Sequence, residues 1–270
     1  MTARKTKKKA KKKAAPKRNG NAGNPGSDFL DQVLEDSGAG FENAHADTFA
    51  KPALKILQKL SPECDEENDK FIDGADPGMI YNTVTGELSE EVRVNPEVYY
   101  TTFAEWIPRS KGGGIVGEYD VVMGQELLRT CTRDEKKRFI LPSGNQLART
   151  ENFIVKLDLG KGAFEVAIIR MASTQIAKAQ RWNSQMNMIR VENTQGIFVK
   201  PPTYFYQWTL GTERQSNDQG NWFGWTFERG DMLSDESLLL EIKQDREMYD
   251  KKLLTFTPQD GTEEGSENAL

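Results

Sequence analysis

The sequence predicts a mainly β, α+β fold with a few helices: an OB-like, partly open barrel with an inserted helix and disordered ends. Three observations lead there. From about Met79 the chain breaks into short runs rich in β-branched and aromatic residues, punctuated by Gly, Pro and Asn. Residues 174–190 interrupt those runs with a helical period. A hydrophobic content of 37% against 29% charge is lean for 270 residues, so the folded core is expected to be smaller than the chain. The expected division is a basic arm over residues 1–27, one β-rich domain over 28–256 and an acidic tail over 257–270. A β-sandwich is the alternative architecture, and no internal repeat is visible.

The arm carries ten Lys or Arg and no acid within residues 1–18. A block of like charge does not fold by itself, but it holds phosphates or simply solubilises. Ser27 is a fitting cap for a helix through Glu35 with Phe29, Leu30, Val33 and Leu34 as its apolar residues. Pro52 is expected to open a second helix through Leu54, Ile56, Leu57 and Leu60, stopped by Ser61-Pro62. A solvated acidic loop, Glu63 to Asp69, follows.

Strands are expected over Ile80 to Val84, Val92 to Val98 and Tyr99 to Ile107, with Asn95-Pro96 as a break. After the Gly-rich loop at 112–117 comes a strand ending in Phe139-Ile140-Leu141, then the turn Pro142 to Asn145. Phe153 to Leu159 and Phe164 to Met171 form a hairpin around Gly160-Lys161-Gly162. The helical stretch puts Gln175, Ala179, Trp182, Met186 and Ile189 on one stripe, with Lys178, Arg181 and Gln185 opposite. Two aromatic strands joined by Thr212 to Gly220 come next. A last helix from about Ser234 to Leu253, with Leu238, Ile242, Tyr249 and Leu253 inward, runs into the tail.

The chemistry-bearing signal is aromatic. Eight rings fall between Tyr204 and Phe227: Tyr204, Phe205, Tyr206, Trp208, Trp222, Phe223, Trp225 and Phe227. A twisted β-surface of rings is the platform on which unpaired bases stack, at about 1–3 kcal/mol per base and with little sequence preference. Rings equally fill cores, and strand alternation allows both: Tyr204, Tyr206 and Trp208 share one face, and Phe223, Trp225 and Phe227 share another. Trp106, Tyr204, Tyr206, Trp208, Trp222 and Trp225 are the stacking candidates. Arg109, Lys111, Lys178 and Arg181 are the phosphate candidates, although most charge runs only solvate a surface.

Other chemistries lack their parts. Gly112 to Gly117 matches G-x-G-x-x-G, but its surroundings read as β, and the dinucleotide fingerprint needs those glycines to open a helix. A hairpin loop able to close over a phosphate is the better reading. The acidic loop lacks the alternating ligands of a calcium site, His45 is the only histidine, and Cys64 and Cys131 have no zinc or disulfide spacing. No enzyme activity, cofactor or metal is expected. With no apolar run of about twenty residues and no signal-like start, the chain reads as soluble and intracellular. Asp260, Glu263, Glu264 and Glu267 in the tail are candidates for binding protein partners, or an ordinary acidic terminus.

Several blocks carry a resemblance: "FAKPALKILQ" from Phe49, "MIYNTVTGE" from Met79, "EWIPR" from Glu105, the Gly-rich loop, "MASTQIAKAQRWNS" from Met171 and "NWFGW" from Asn221. Across roughly residues 41–228 the chain resembles a family of tailed-phage proteins associated with phage single-stranded-DNA-binding proteins. The resemblance implies an OB core and an acidic C-terminal tail that contacts phage replication proteins. The expected function is therefore non-catalytic binding of single-stranded DNA during replication or recombination, in the cytoplasm of the infected host. The lysine-rich head is not typical of that class. It keeps a second expectation open, a virion structural or capsid-associated protein whose arm touches packaged DNA. A host-directed interaction protein without nucleic acid is a third.

Overall fold

The structure is a computed structural model describing residues 27–36, 39–42, 48–217 and 220–250. The basic arm up to residue 26, His45, Leu253 and the four tail acids lie outside the described residues. The chain divides into two compact units, residues 1–45 and 46–270. In the first, α1 (Ser27–Glu35) covers the residues the sequence assigns to it; its Phe29, Leu30, Val33 and Leu34 are exposed.

In the second unit, β1 (Ala53–Ile56), β2 (Ile80–Asn82) and β3 (Leu88–Ser89) precede the long β4 (Val92–Trp106). Next come β5 (Ile115–Tyr119), α2 (Val121–Thr130), β6 (Thr132–Arg133) and β7 (Phe139–Ile140). The hairpin of β8 (Gln146–Gly160) and β9 (Ala163–Ala172) leads into α3 (Ile176–Met188). A ribbon of β10 (Val191–Glu192) and β11 (Phe198–Val199), a second hairpin of β12 (Tyr206–Asn217) and β13 (Gly220–Met232), and α4 (Glu236–Asp250) complete it. Among the described residues the fold is mainly β with four α-helices. Its principal sheet runs β13-β12-β4-β8-β9-β1-β2-β3, with β5, β6 and β7 off that path. This sheet curls into an open half-barrel. It has eleven strands in one layer, more than the five of an OB barrel and unlike the two stacked sheets of a sandwich.

The hollow of the half-barrel is filled by α3. Trp182 is fully buried, stacked on Phe227 at 4.5 Å with the planes 13° apart, 4.6 Å from Phe153 and edge-on to Trp208 at 6.0 Å. Val94, Val155, Leu157, Ile169, Leu210 and Trp225 close around this ring cluster. A smaller core of Phe103, Leu141 and Leu147 lies under Leu127 and Leu128 of α2. Gly124 is required there, because a Cβ on it would sit 2.1 Å from the Phe103 ring.

Four expectations are corrected. Residues 52–60 do not form a helix: the carbonyl of Pro52 accepts from Ile168 N, and β1 pairs with β9 in parallel and β2 antiparallel. Leu54 and Ile56, two apart, both join the core, as strand alternation puts them on one face where a helix would set them on nearly opposite sides. Asn95-Pro96 is not a break. β4 runs through it with a bulge, the pairing with β8 passing from Pro96–Val155 to Val98–Ile154 and leaving Glu97 as the extra residue. The run from the Gly-rich loop to Leu141 is a strand, a helix and two short strands, the helix capped by Asp120 Oδ1 accepting from Met123 N at 2.8 Å. Finally, Tyr204 and Phe205 lie in a 3-10 turn ahead of β12, and the aromatic strands continue well past Thr212. The helix at 176–188, the Gly160–Gly162 hairpin turn and the last helix form where the sequence expects them.

α4 packs on the sheet face opposite α3. Lys156 Nζ reaches across to Asp245 at 2.6 Å and Glu241 at 3.3 Å. Beside it the bulged Glu97 is 2% exposed, and neither of its carboxylate oxygens accepts a hydrogen bond. Burial, reinforced by Asp245 and opposed by Lys156, pushes the Glu97 carboxyl up to about 8. The fold thus holds a proton that the unfolded chain releases near 4.5. Between those two values stability falls as pH rises, by at most ~1.4 kcal/mol per pH unit, and levels off above the upper one. Glu97→Gln is expected to flatten that slope in denaturant titrations run from mildly acidic to mildly alkaline pH. An unchanged slope would place the proton elsewhere.

Candidate nucleic-acid interface

Among the described residues β13 pairs with one strand, β12, so the outward amides along its other side need partners. Two glutamines supply them. Gln58, just after β1, donates from Nε2 to the Phe223 carbonyl at 3.0 Å and accepts from Phe223 N at 2.9 Å. Gln175, at the N-cap of α3, donates to the same carbonyl at 3.1 Å and accepts from Trp225 N at 3.2 Å. Beside them Thr212 Oγ1 donates to the Gly78 carbonyl at 2.6 Å. Gly78 has φ of +100°, and a Cβ there would meet the Phe223 ring at 2.7 Å. The half-barrel is therefore drawn together by side-chain amides at the place where a further strand would sit.

Pinning Gln175 fixes where the rest of α3 lies. One turn on, Lys178 Nζ is ion-paired with Glu213 of β12. That hydrogen bond and charge hold the Glu213 carboxyl below its ordinary value, with Arg181 adding to the effect. Gln215 Nε2 donates to the same Glu213 oxygen at 3.2 Å, and Gln215 Oε1 accepts from Trp222 Nε1 at 2.9 Å. A hydrogen-bonded chain thus runs from Lys178 through Glu213 and Gln215 to the half-buried ring of Trp222. Arg181 and Arg214 are exposed beside it.

The remaining candidates divide. Trp208 and Trp225 are each 2% exposed within the core, so their rings are not surfaces on which a base can stack. Tyr204 lies under Arg246 at 5.4 Å, and Tyr206 lies under Arg229 at 4.9 Å while packing partly on the core. Trp106 is half-buried at the far end of β4, paired with Ile115 and Gln146. Since β12 meets β4 at Val94, and a strand rises ~3.3 Å per residue, Trp106 lies on the order of 40 Å along the strand from Tyr206 and Trp208. Arg109 starts a 3-10 turn there, and Lys111 Nζ approaches the turn at Gly144. The neighbouring Glu105 accepts from Asn145 Nδ2 at 2.6 Å and Tyr119 Oη at 2.7 Å, which keeps its carboxyl low. The expected stacking and phosphate residues occupy four places: Trp208 and Trp225 in the core, Tyr204 and Tyr206 under Arg246 and Arg229, Trp106 with Arg109 and Lys111, and Trp222 with Lys178 and Arg181. Of the last two, the hydrogen-bonded chain from a candidate cation runs to Trp222.

Gln58, Gln175, Glu213 and Gln215 were not among the residues singled out for function. Their signal lay in the blocks they belong to, since Gln58 ends "FAKPALKILQ" and Gln175 sits in "MASTQIAKAQRWNS". The family model spans these blocks: the Pam3 phage gp34-like protein family matches residues 18–254. The chain belongs to that family. It is a bacteriophage protein. No curated protein and no solved structure matches it. Among the described residues, no group of three or more His, Cys, Asp or Glu is placed to hold a metal ion, and no helix is long and apolar enough to cross a membrane.

The shared carbonyl makes the closure of this phage fold testable. Gln58→Leu leaves Phe223 N unpaired and Gln175→Leu leaves Trp225 N unpaired, each at a cost of about 1–3 kcal/mol. Either single variant leaves the Phe223 carbonyl one donor, whereas the double variant leaves it none. Chemical denaturation is expected to show the double variant losing more than the sum of the two singles. Simple additivity would mean that the two amides close the sheet independently.

Proposed function

We propose that this phage protein binds single-stranded DNA without catalysis, in replication or recombination, within the cytoplasm of the infected host. The observation that carries the reading is the Lys178–Glu213–Gln215–Trp222 chain with Arg181 beside it. It presents a half-exposed indole edge-bound to the sheet, flanked by cations on a helix whose position is fixed. In this reading a base stacks on Trp222 and the phosphates on either side meet Arg181 and Lys178, the latter leaving Glu213 for the stronger anion. The ten cations of residues 1–18 add sequence-independent attraction. The likeness to an OB fold lies in this open, ring-bearing curved face, not in strand number. The acids Asp260, Glu263, Glu264 and Glu267 serve as the contact for replication proteins.

Titration of a labelled single-stranded oligonucleotide tests the reading. Affinity is expected to fall with salt, with a log–log slope of about −0.7 per phosphate contacted. Trp222→Ala is expected to weaken single-strand binding about tenfold, in keeping with ~1–3 kcal/mol per stacked base. Deleting residues 1–18 weakens single-strand and duplex binding alike and leaves the preference for single strands intact. Equal affinity for duplex, or a Trp222→Ala variant that binds as well as the parent, overturns the proposal.

One observation favours a second reading, a structural part of the phage particle. β5 pairs only with β4, and its Ile115 and Val116 are exposed together with Val121, Val122 and Met123 at the start of α2. An apolar cluster beside an open strand edge is what an assembly contact needs. Mass spectrometry of purified particles separates the two: stoichiometric presence supports this reading, and absence from the particle supports the first.

A further inference from the structure

The exposed face of α3 continues well past Arg181. Ala177, Gln180, Arg181, Ser184, Asn187 and Met188 recur at three- and four-residue intervals and are all exposed, so they form one strip along the helix. From Met171 to Val191 the sequence holds Lys178, Arg181 and Arg190 and no acid. At the far end of the strip two cations gather on Asn187. Arg190 Nη1 donates to the carbonyls of Asn187 at 2.8 Å and Ile189 at 2.7 Å, and Lys200 Nζ donates to Asn187 Oδ1. These oxygens are neutral, so both side chains keep their full charge. Each has further N–H donors that no partner among the described residues takes up.

The β10–β11 ribbon begins at the same place, outside the principal sheet. Val191 pairs with Val199 and Glu192 with Phe198. Its turn is set by Asn193, whose Oδ1 accepts from Gln195 N at 2.9 Å and Ile197 N at 3.0 Å, and by Gly196 at φ of +75°. The ribbon holds its Phe198 ring out in water, 68% exposed, with no aromatic or cationic partner among the described residues. Met188, Ile197 and Val199 are exposed around it. An apolar patch rimmed by polar groups marks a contact surface, and here the rim is cationic: Lys200 is two residues from Phe198, about 7 Å along an extended chain. The acid of the ribbon, Glu192, lies toward the turn, its Oε1 close to Gly196. Phosphates are therefore favoured at the helix end of the ribbon and disfavoured at its tip.

We propose that the single strand held at Trp222 continues along this strip of α3 and stacks a second base on Phe198, with Arg190 and Lys200 meeting its phosphates. The inference rests on the DNA-binding reading and adds to it a second ring, a direction and a least length. Lys178 and Asn187 are ~14 Å apart along the helix, or about four phosphates at the ~3.4 Å spacing of a stacked strand. The exposed ring supplies what a charged patch alone lacks, a surface that a base can cover and a water-swollen phosphate cannot.

Anisotropy titrations of the full chain with a labelled twelve-nucleotide oligothymidylate, single-stranded or annealed to its complement, test the proposal. Phe198→Ala, a change at an exposed side chain, is expected to weaken single-strand binding about tenfold and to leave duplex binding unchanged. Phe198→Tyr keeps the ring and is expected to bind as the parent does. The Arg190→Gln/Lys200→Gln variant is expected to lower the log–log salt slope by about 1.4, two contacts at about 0.7 each. If Trp222→Ala weakens binding and Phe198→Ala does not, this inference is overturned and the DNA-binding reading stands. No binding by the parent chain overturns both. An unchanged salt slope removes the phosphate contacts and overturns the path along α3. Equal loss of duplex binding in Phe198→Ala would make the ribbon a reader of duplex grooves, which also overturns the proposal.

Discussion

The unfinished side of β13 is the constraint on which the rest of the structure depends. A closed barrel satisfies every strand by another strand, and an open sheet exposes its last row of amides. Here the curl brings that row within reach of Gln58 and Gln175, whose primary amides reproduce the donor–acceptor pair of a peptide group. Because a side chain makes the bond, no further strand occupies the place, and the helix behind Gln175 is admitted to the hollow. Trp182 enters with it and joins Phe153, Trp208 and Phe227 in one ring cluster. Closure and core formation are one event: displacing α3 would expose the largest buried ring and unpair Trp225 N together.

The two faces of the sheet meet different demands. Inside, apolar residues alternate toward α3, and the aromatic wealth of β12 and β13 is spent on filling space. Outside, α4 is held by charge as well as by Leu238 and Ile242, through Lys156, Asp245 and Glu241. The bulge at Glu97 adds a carboxyl to that layer without a hydrogen-bonding partner, so it stays protonated where an ordinary glutamate would be charged. Burying a second negative charge beside Asp245 would cost more than binding the proton. The outer layer is therefore sensitive to pH, whereas the inner layer, built of rings and aliphatic chains, is not.

What could be read from the sequence follows the range of the interactions involved. The α3 stripe of Ala179, Trp182 and Met186 was legible because helix period and burial coincide locally, and the Gly160–Gly162 turn because three successive positive φ angles sit at Gly, Lys and Gly. β1 was not legible. Leu54, Ile56, Leu57 and Leu60 satisfy a helical pattern, and pairing with β2 and with β9, the latter more than a hundred residues away, makes Ala53–Ile56 a strand instead. α2 was hidden by Val121 and Val122, β-branched residues at a helix start, although Asp120 announces the cap. Among the candidate ligands, alternation separated Trp222 from Trp225 and Phe227, but Tyr204 fell in a 3-10 turn ahead of the strand, and the pattern could not say which face of the aromatic hairpin was inside. Trp208 and Trp225 went to the core, and Trp222 remained at the surface.

That outcome bears on what the family blocks mean. "FAKPALKILQ" ends in Gln58, "MIYNTVTGE" begins next to Gly78, "MASTQIAKAQRWNS" contains Gln175 and Trp182, and "NWFGW" contains Phe223 and Trp225. Segments far apart in sequence converge on one closure, and most of their distinctive residues are consumed there as amide pairs, a close glycine contact and core rings. The blocks thus encode the fold first. In the proposed reading, function falls to residues that the closure positions without using. Trp222 is next to Phe223 but on the other face of β13, and Lys178 and Arg181 are one and two turns beyond Gln175. Their spacing is set by the same two glutamines, which is why a surface of one ring and two cations is held in place on an otherwise open sheet.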